Sequence, residues 1–142
     1  MTTTTTATQA IIATAYERYE DNLSWTWGMF IDQCQPTERY VVLIAALDSQ
    51  VNNGGFTQWC DNGYVTESAA TIRALNWLGG EAADRAAELV QIATAEWMNY
   101  RANYRPSLRE DVEYPDLNHL DTEYYAGWGD QILAALETKV QA

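Results

Sequence analysis

One histidine, two cysteines and twenty acidic residues are the groups in this chain that could do chemistry. A nucleophile needs a base within hydrogen-bond reach, usually histidine. His119 is the single candidate, and its place in Asn118-His119-Leu120, just ahead of a helix start, reads as a surface or hinge position. Cys34 and Cys60 have no metal-ligand spacing, and one histidine cannot complete a metal site. With no secretion signal they read as reduced, partly buried thiols. Asn53-Gly54-Gly55 lacks the lysine and the following Ser or Thr of a phosphate loop. Carboxylate pairs can perform acid–base work, but twenty acids give many chance pairs and no specific one. The expectation is a protein that is not an enzyme, with no catalytic residue, no metal and no cofactor.

The acids carry a different message through their sum. Twenty Asp and Glu stand against eight Lys and Arg, a formal net charge of -12. Such a charge opposes direct binding to nucleic acid or to an anionic membrane. It suits a basic partner, or it keeps the protein soluble. Glu110, Asp111, Glu113, Asp116, Asp121, Glu123 and Asp130 fall within 21 residues that hold no Lys or Arg. Glu17, Glu20, Asp21, Asp32 and Glu38 form a looser group relieved by Arg18. Asp121 is explained by capping of the last helix. A chain of this length has a radius of gyration of roughly 14–15 Å. It is therefore comparable with one turn of B-DNA, about 34 Å long.

Helices must position these groups. Ile12, Ala15, Tyr16, Tyr19 and Leu23 recur at helical spacing. Ser24 to Cys34 is ambiguous and read as helical. Pro36 and Thr37 open a strong helix with an apolar stripe of Tyr40, Leu43, Ile44, Leu47 and Val51. Asn52-Asn53-Gly54-Gly55 stops it, because Asn and Gly tolerate left-handed backbone. A short segment from Phe56 to Asp61 follows, ended by Asn62-Gly63. Thr66 caps the next helix, with Ala69, Ile72, Leu75 and Leu78 inward. Gly79-Gly80 separates it from a helix running from Glu81 to about Tyr104, with a stripe of Ala86, Leu89, Val90, Ala93, Trp97, Tyr100 and Tyr104. The last helix carries Tyr125, Trp128, Ile132, Leu136 and Val140, and the glycines flanking Trp128 allow another helix close by. No alternating strand pattern and no long apolar run is present. The expectation is an all-α, single-domain bundle of about five to seven helices over residues 9–142. It is preceded by a flexible Thr-rich tail over residues 1–8, without a membrane span, and cytoplasmic.

The residues Leu47-Asp48, Val51-Asn52-Asn53-Gly54-Gly55-Phe56, Gln58-Trp59 and Asn62 stand in a set order. So do Ala74-Leu75 before Leu78-Gly79, and Leu120-Asp121 before Glu123-Tyr124-Tyr125. From Tyr40 to Val140 this pattern resembles the DNA mimic protein family, small acidic all-α bacterial and phage proteins. The resemblance implies an all-α fold, a possible homodimer, and occupation of a partner's DNA-binding surface. Gln50 stands where the family often has Glu, and Trp59-Cys60 replaces a more usual aromatic pair.

Most of the signature (Asp48, Asn52, Asn53, Gly54, Gly55, Phe56, Gln58, Trp59, Asn62) reads as structural. Gln58 and Asn62 are expected to bond exposed turn backbone. The acids then carry function. Glu110, Asp111, Glu113, Asp116 and Glu123, with Glu17, Glu20 and Asp21 as a second strip, are the candidate phosphate mimics. The expected protein is an inhibitor of a basic DNA-binding protein, such as a transcription factor, nuclease or phage-defence effector, that binds no nucleic acid itself. The alternative is an interaction module using aromatics such as Trp59 or Tyr64. A third reading is a ligand pocket around Asn53, Gln58 and Asn62.

Overall fold

The computed structural model describes residues 6–104 and 115–142. Helix α1 spans Ala7–Glu20 and begins in a reciprocal cap: Thr6 Oγ1 accepts from Gln9 N–H, and the Gln9 side chain accepts from Thr6 N–H. Such a box satisfies two backbone donors that a helix start otherwise leaves unpaired. The expected tail over residues 1–8 is therefore corrected at its inner end. Thr6 caps, Ala7 and Thr8 are helical, and Thr8 is buried. Both of their N–H groups donate to Glu137 near the C-terminus. That cross-chain anchor is invisible in local composition.

Helix α2, Trp27–Gln33, is shorter than the ambiguous segment around it, and Thr26 caps it by accepting from Met29 N–H. Helix α3, Pro36–Asp61, starts with proline in its first turn and is broken at Gly54 and Gly55. Gly63, at φ 90, closes it. A 3-10 turn, Tyr64–Glu67, leads into α4, Ser68–Leu78. The expected Thr66 cap does not form; its hydroxyl donates to the Gly63 carbonyl inside that turn. Because α4 starts later, its inner face rotates to Ala70, Thr71, Ala74, Leu75 and Leu78, leaving Ala69 exposed. Gly79 and Gly80, both at positive φ, turn the chain into α5, Glu81–Asn103. Helix α6, Asn118–Glu123, runs through a π-helical turn, Tyr124–Trp128, into α7, Gly129–Gln141.

No strand occurs among the described residues, and no helix is long and apolar enough to cross a membrane. Helix α3 is the hub, touching every other helix. Val41, Val42, Ile44, Leu47, Val51 and Phe56 on it are almost fully buried, in one core shared with Leu75, Leu89, Val90, Ile132 and Leu136. The aromatic layer of Tyr16, Tyr19, Trp27 and Phe30 seals α2 against α1. Of the stripe expected on the last helix, Tyr125 lies about half exposed; the π turn carries it out of register with Ile132 and Leu136.

The break in α3 gives the first test. Gly55 sits at φ 80 and ψ -178, a region open only to glycine. A Cβ there would come within 2.2 Å of Asp121 Oδ2. Gly63, at φ 90, has open space around it. Urea unfolding should therefore show Gly55→Ala costing about 3 kcal/mol or more, and Gly63→Ala about 1 kcal/mol. Equal losses would mean that contact with Asp121 contributes nothing.

Candidate functional site

Breaking a helix frees backbone groups that must find partners. At the α3 break, Phe56 N–H donates to Asp121 Oδ1 at 2.7 Å. The Val51 carbonyl, which an unbroken helix would pair with residue 55, accepts from the Tyr125 hydroxyl. Asp121 was expected to cap the last helix. It lies instead inside α6 and caps the second half of α3. The carboxylate reaches the break because Gly55 has no side chain.

Two turns earlier on α3, Asp48 Oδ1 accepts from the Tyr124 hydroxyl at 2.6 Å. Gly129 permits this, since a Cβ there would lie 2.6 Å from the Tyr124 ring and 3.2 Å from Asp48 Oδ1. The close approach expected of the glycines around Trp128 is thus made at Gly129. Gly127, at φ 139, bends the π turn instead.

The polar half of the signature closes on itself. Gln50 Oε1 accepts from Gln58 Nε2 and from Asn62 Nδ2, each at 2.9 Å. Asn53 Nδ2 donates to Gln58 Oε1 at 3.2 Å. Gln58 and Asn62 therefore grip a side chain rather than turn backbone, which corrects the expectation. It also gives a role to Gln50, whose oxygen is the shared acceptor. Phe56 and Trp59 are core residues, 0% and 1% exposed. Trp59 is thus no surface anchor, and Tyr124, at 1%, is none either. Tyr64 is half-buried with its ring 4.8 Å from that of Trp27, and Tyr114 lies outside the described residues.

Burial sets the protonation of this seam. Desolvation pushes Asp48 above the usual carboxylate range, with the Tyr124 hydroxyl and Asn52 pulling it partly back. Asp121 is raised for the same reason, opposed by the Phe56 N–H. Desolvation, then Asp48, pushes the Tyr124 phenol up, so it remains a donor. Both cysteines are buried and unpaired with each other. Burial lifts Cys34 to about 11 and Cys60 to about 12, leaving two protonated thiols. His119 is exposed in α6.

The candidate phosphate mimics lie elsewhere. Glu17, Glu20 and Asp21 are exposed at the end of α1, spaced to share one face. Asp116 is exposed, with Oδ1 accepting from Asn118 N–H at 3.0 Å. Glu123 is held in a fork by Arg85, whose Nε and Nη2 donate at 2.5 and 2.7 Å. Glu110, Asp111 and Glu113 lie outside the described residues. A third group escaped the sequence reading: Glu81, Asp84 and Glu88 are exposed on one face of α5. They line a groove of about 440 Å³ with Arg85 and Trp128. Arg85 Nη1 also donates to Glu88 within α5 at 2.5 Å, while its fork to Glu123 joins α5 to α6. Their helical spacing was visible in the sequence, but α5 was read there only for its apolar stripe.

Several of the described cations are held by partners within the protein. Arg18 pairs with Glu38, holding that carboxyl below its usual range. Arg39 donates to the carbonyls of Ile31, Asp32 and Cys34 at the end of α2. Lys139 donates to the Trp77 carbonyl at 2.6 Å and lies over its ring. Ion pairs form at Arg18–Glu38, Arg85–Glu88 and Arg85–Glu123.

A family model described as DMP19-like protein matches residues 32–140. That span covers most of the chain, and the chain belongs to the DMP19-like protein family, a family of DNA-mimic type. It contains both sides of the seam, from Asp48 to Asn62 and from Leu120 to Tyr125. No curated protein and no solved structure matches the chain.

The seam carries its own prediction. Asp121→Ala leaves the Phe56 N–H unpaired and should cost about 1–3 kcal/mol. The pH dependence has a defined sign. A carboxyl raised in the folded state binds more protons there than in the unfolded chain, so stability falls as pH rises through the window just above the ordinary aspartate value of about 3.9. Asp48→Asn should flatten that fall in urea titrations between pH 3.5 and 7. An unchanged slope would remove Asp48 as its source.

Proposed function

We propose that this member of the DMP19-like family is an inhibitor that presents carboxylates where DNA presents phosphates, occupying the nucleic-acid-binding surface of a basic DNA-binding protein. The observation that carries this reading is the set of exposed carboxylates of Glu17, Glu20 and Asp21 on α1 and of Glu81 and Asp84 on α5, which none of the described ion pairs includes, in a chain of net charge -12. Family membership supports the same direction.

The spacing suits the role. Glu81, Asp84 and Glu88 rise along α5 by roughly 4.5 and 6 Å, from about 1.5 Å per residue. Phosphates on one DNA strand are about 3.4 Å apart along the axis. Carboxylates on a helix thus supply charge at a comparable, somewhat lower density. Rigid helices fix those charges before binding, so little ordering cost remains to be met. Arg85 fixes Glu88 and Glu123 further by bridging them. Two such faces joined in a homodimer would lengthen the acidic strip. The proposed contact residues are Glu17, Glu20 and Asp21 on α1 and Glu81, Asp84 and Glu88 on α5. Glu110, Asp111, Glu113 and Asp116 join them from the acidic connection, with Glu123 acting through its Arg85 bridge. A charge-dominated contact associates quickly and weakens steeply with salt.

A low-salt pull-down from host lysate names the partner. Duplex DNA should displace the protein from it. Reversing Glu17, Glu20 and Asp21 to Lys, or Glu81, Asp84 and Glu88 to Lys, should each weaken binding by about 100-fold at low salt. Melting temperature is the control for folding. Binding that survives a salt step, or that DNA leaves untouched, would overturn the reading.

A further inference from the structure

The face of the molecule where α1, α3 and α7 meet holds a groove that the charge argument does not use. Its volume is about 340 Å³, and its lining includes Thr8, Ile12, Ala45, Asp48, Leu133 and Glu137. Ile12, Ala45 and Leu133 make an apolar wall, and Leu133 remains 38% exposed at it. Thr6 and Gln9 lie at its edge, and apart from the Gln9 amide and the hydroxyl protons its side-chain polar groups are acceptors. Asp48 is half-buried and gives Oδ1 to Tyr124. Glu137 Oε1 accepts from Ala7 N–H and Gln141 Nε2, while Oε2 accepts only from Thr8 N–H. Thr8 is 8% exposed, and its Oγ1 is buried with no hydrogen-bond partner. That hydroxyl lies near enough to Glu137 to help hold the carboxyl down to about 2. No bond of normal geometry forms between them, so the hydroxyl is still unsatisfied.

A buried hydroxyl without a partner is costly and calls for a ligand or a water. Charge and shape choose between ligand classes. Two carboxylates line the groove, and no cation does; Lys139, the nearest cation along α7, is held by Trp77. Two carboxylates oppose an anion, and a cation gains more beside them than a neutral donor does. An ammonium group has three donors and no acceptor. Asp48, Glu137 Oε2 and Thr8 Oγ1 offer three acceptors, and the apolar wall offers a bed for methylenes, as amphipathic cations prefer.

We propose that this groove binds a primary ammonium carried on a short apolar stem, either a free alkylamine or the lysine side chain of another protein. The site is independent of DNA mimicry: the groove lies away from the α5 carboxylates, and its test needs no DNA-binding partner.

The probe is n-butylammonium chloride at pH 7 and fixed ionic strength, with n-butanol as the neutral control. Thermal melting and amide NMR shifts are read together. The expected result is a saturable rise in melting temperature, half-complete on the order of 1–10 mM, with shifts at Thr8 and Ile12 and no such response to butanol. Thr8→Val, which removes the hydroxyl and keeps the shape, should weaken the response at least about threefold. Ala45→Leu, which fills the groove from α3, should abolish it. If Thr8→Val is itself destabilised, Ala45→Leu decides alone. Response to capped lysine with a free ε-amine, but not to its ε-acetylated form, assigns the source to a protein lysine. Response to butylammonium alone assigns a free amine. A response equal for butanol, one that never saturates, or one that Ala45→Leu retains in full, overturns the site.

Discussion

The bond from Phe56 N–H to Asp121 is the constraint on which the rest of this fold depends. The hub helix α3 has to turn at Gly54-Gly55, and turning it strips backbone groups of their helical partners. The C-terminal segment returns from far along the chain to meet them, with Asp121 on the freed donor and Tyr125 on the freed Val51 carbonyl. Each side makes sense only with the other. Without the break, Asp121 has no donor to meet; without Asp121 and Tyr125, the break exposes unpaired groups beside a core. Glycine at 55 is required twice, for its positive φ and for the space that the carboxylate fills.

This explains why two separated stretches of sequence belong to one pattern. Asp48, Gly55 and Phe56 face Asp121, Tyr124 and Gly129 across a single seam. The seam is polar in an otherwise apolar interior, so its geometry is narrow: a hydroxyl or carboxylate displaced from its partner loses more than an alkyl group would. Both carboxyls are raised by burial in a protein already rich in negative charge. The phenol of Tyr124 and the N–H of Phe56 are what allow them to stay. The signature thus serves architecture, and the outer acids are left free for other work.

Much of this was legible in the sequence, and the failures share a cause. Helix periodicity placed α1, α3, α4, α5 and α7, because a 3.6-residue pattern is a local property. Glycine pairs at 54–55 and 79–80 marked real breaks for the same reason. What could not be read was partnership at long range. Asp121 sits where a cap is expected, and its true donor is 65 residues away. Thr8 looks like a tail residue until Glu137, 129 residues on, binds its backbone. Gln58 and Asn62 look like turn ligands until Gln50 is brought between them. Glu81, Asp84 and Glu88 were legible and passed over, since a search for core positions discards the outer face of a helix.

The placement of cations links stability to surface. Arg85, Arg39 and Lys139 each do structural work, bridging Glu88 to Glu123, closing α2 through its carbonyls, and tying α7 to α4 through Trp77. The same contacts tie positive charge to the protein's own groups, so the bracing and the external field arise together. Self-repulsion at a net charge of -12 opposes compactness, and the buried polar seam and apolar hub offset it. Asp48 stands where these demands meet: one oxygen secures Tyr124 inside the seam, while the residue also lines the α1–α3–α7 groove. An acid that holds the fold together on one side can therefore hold a cation on the other.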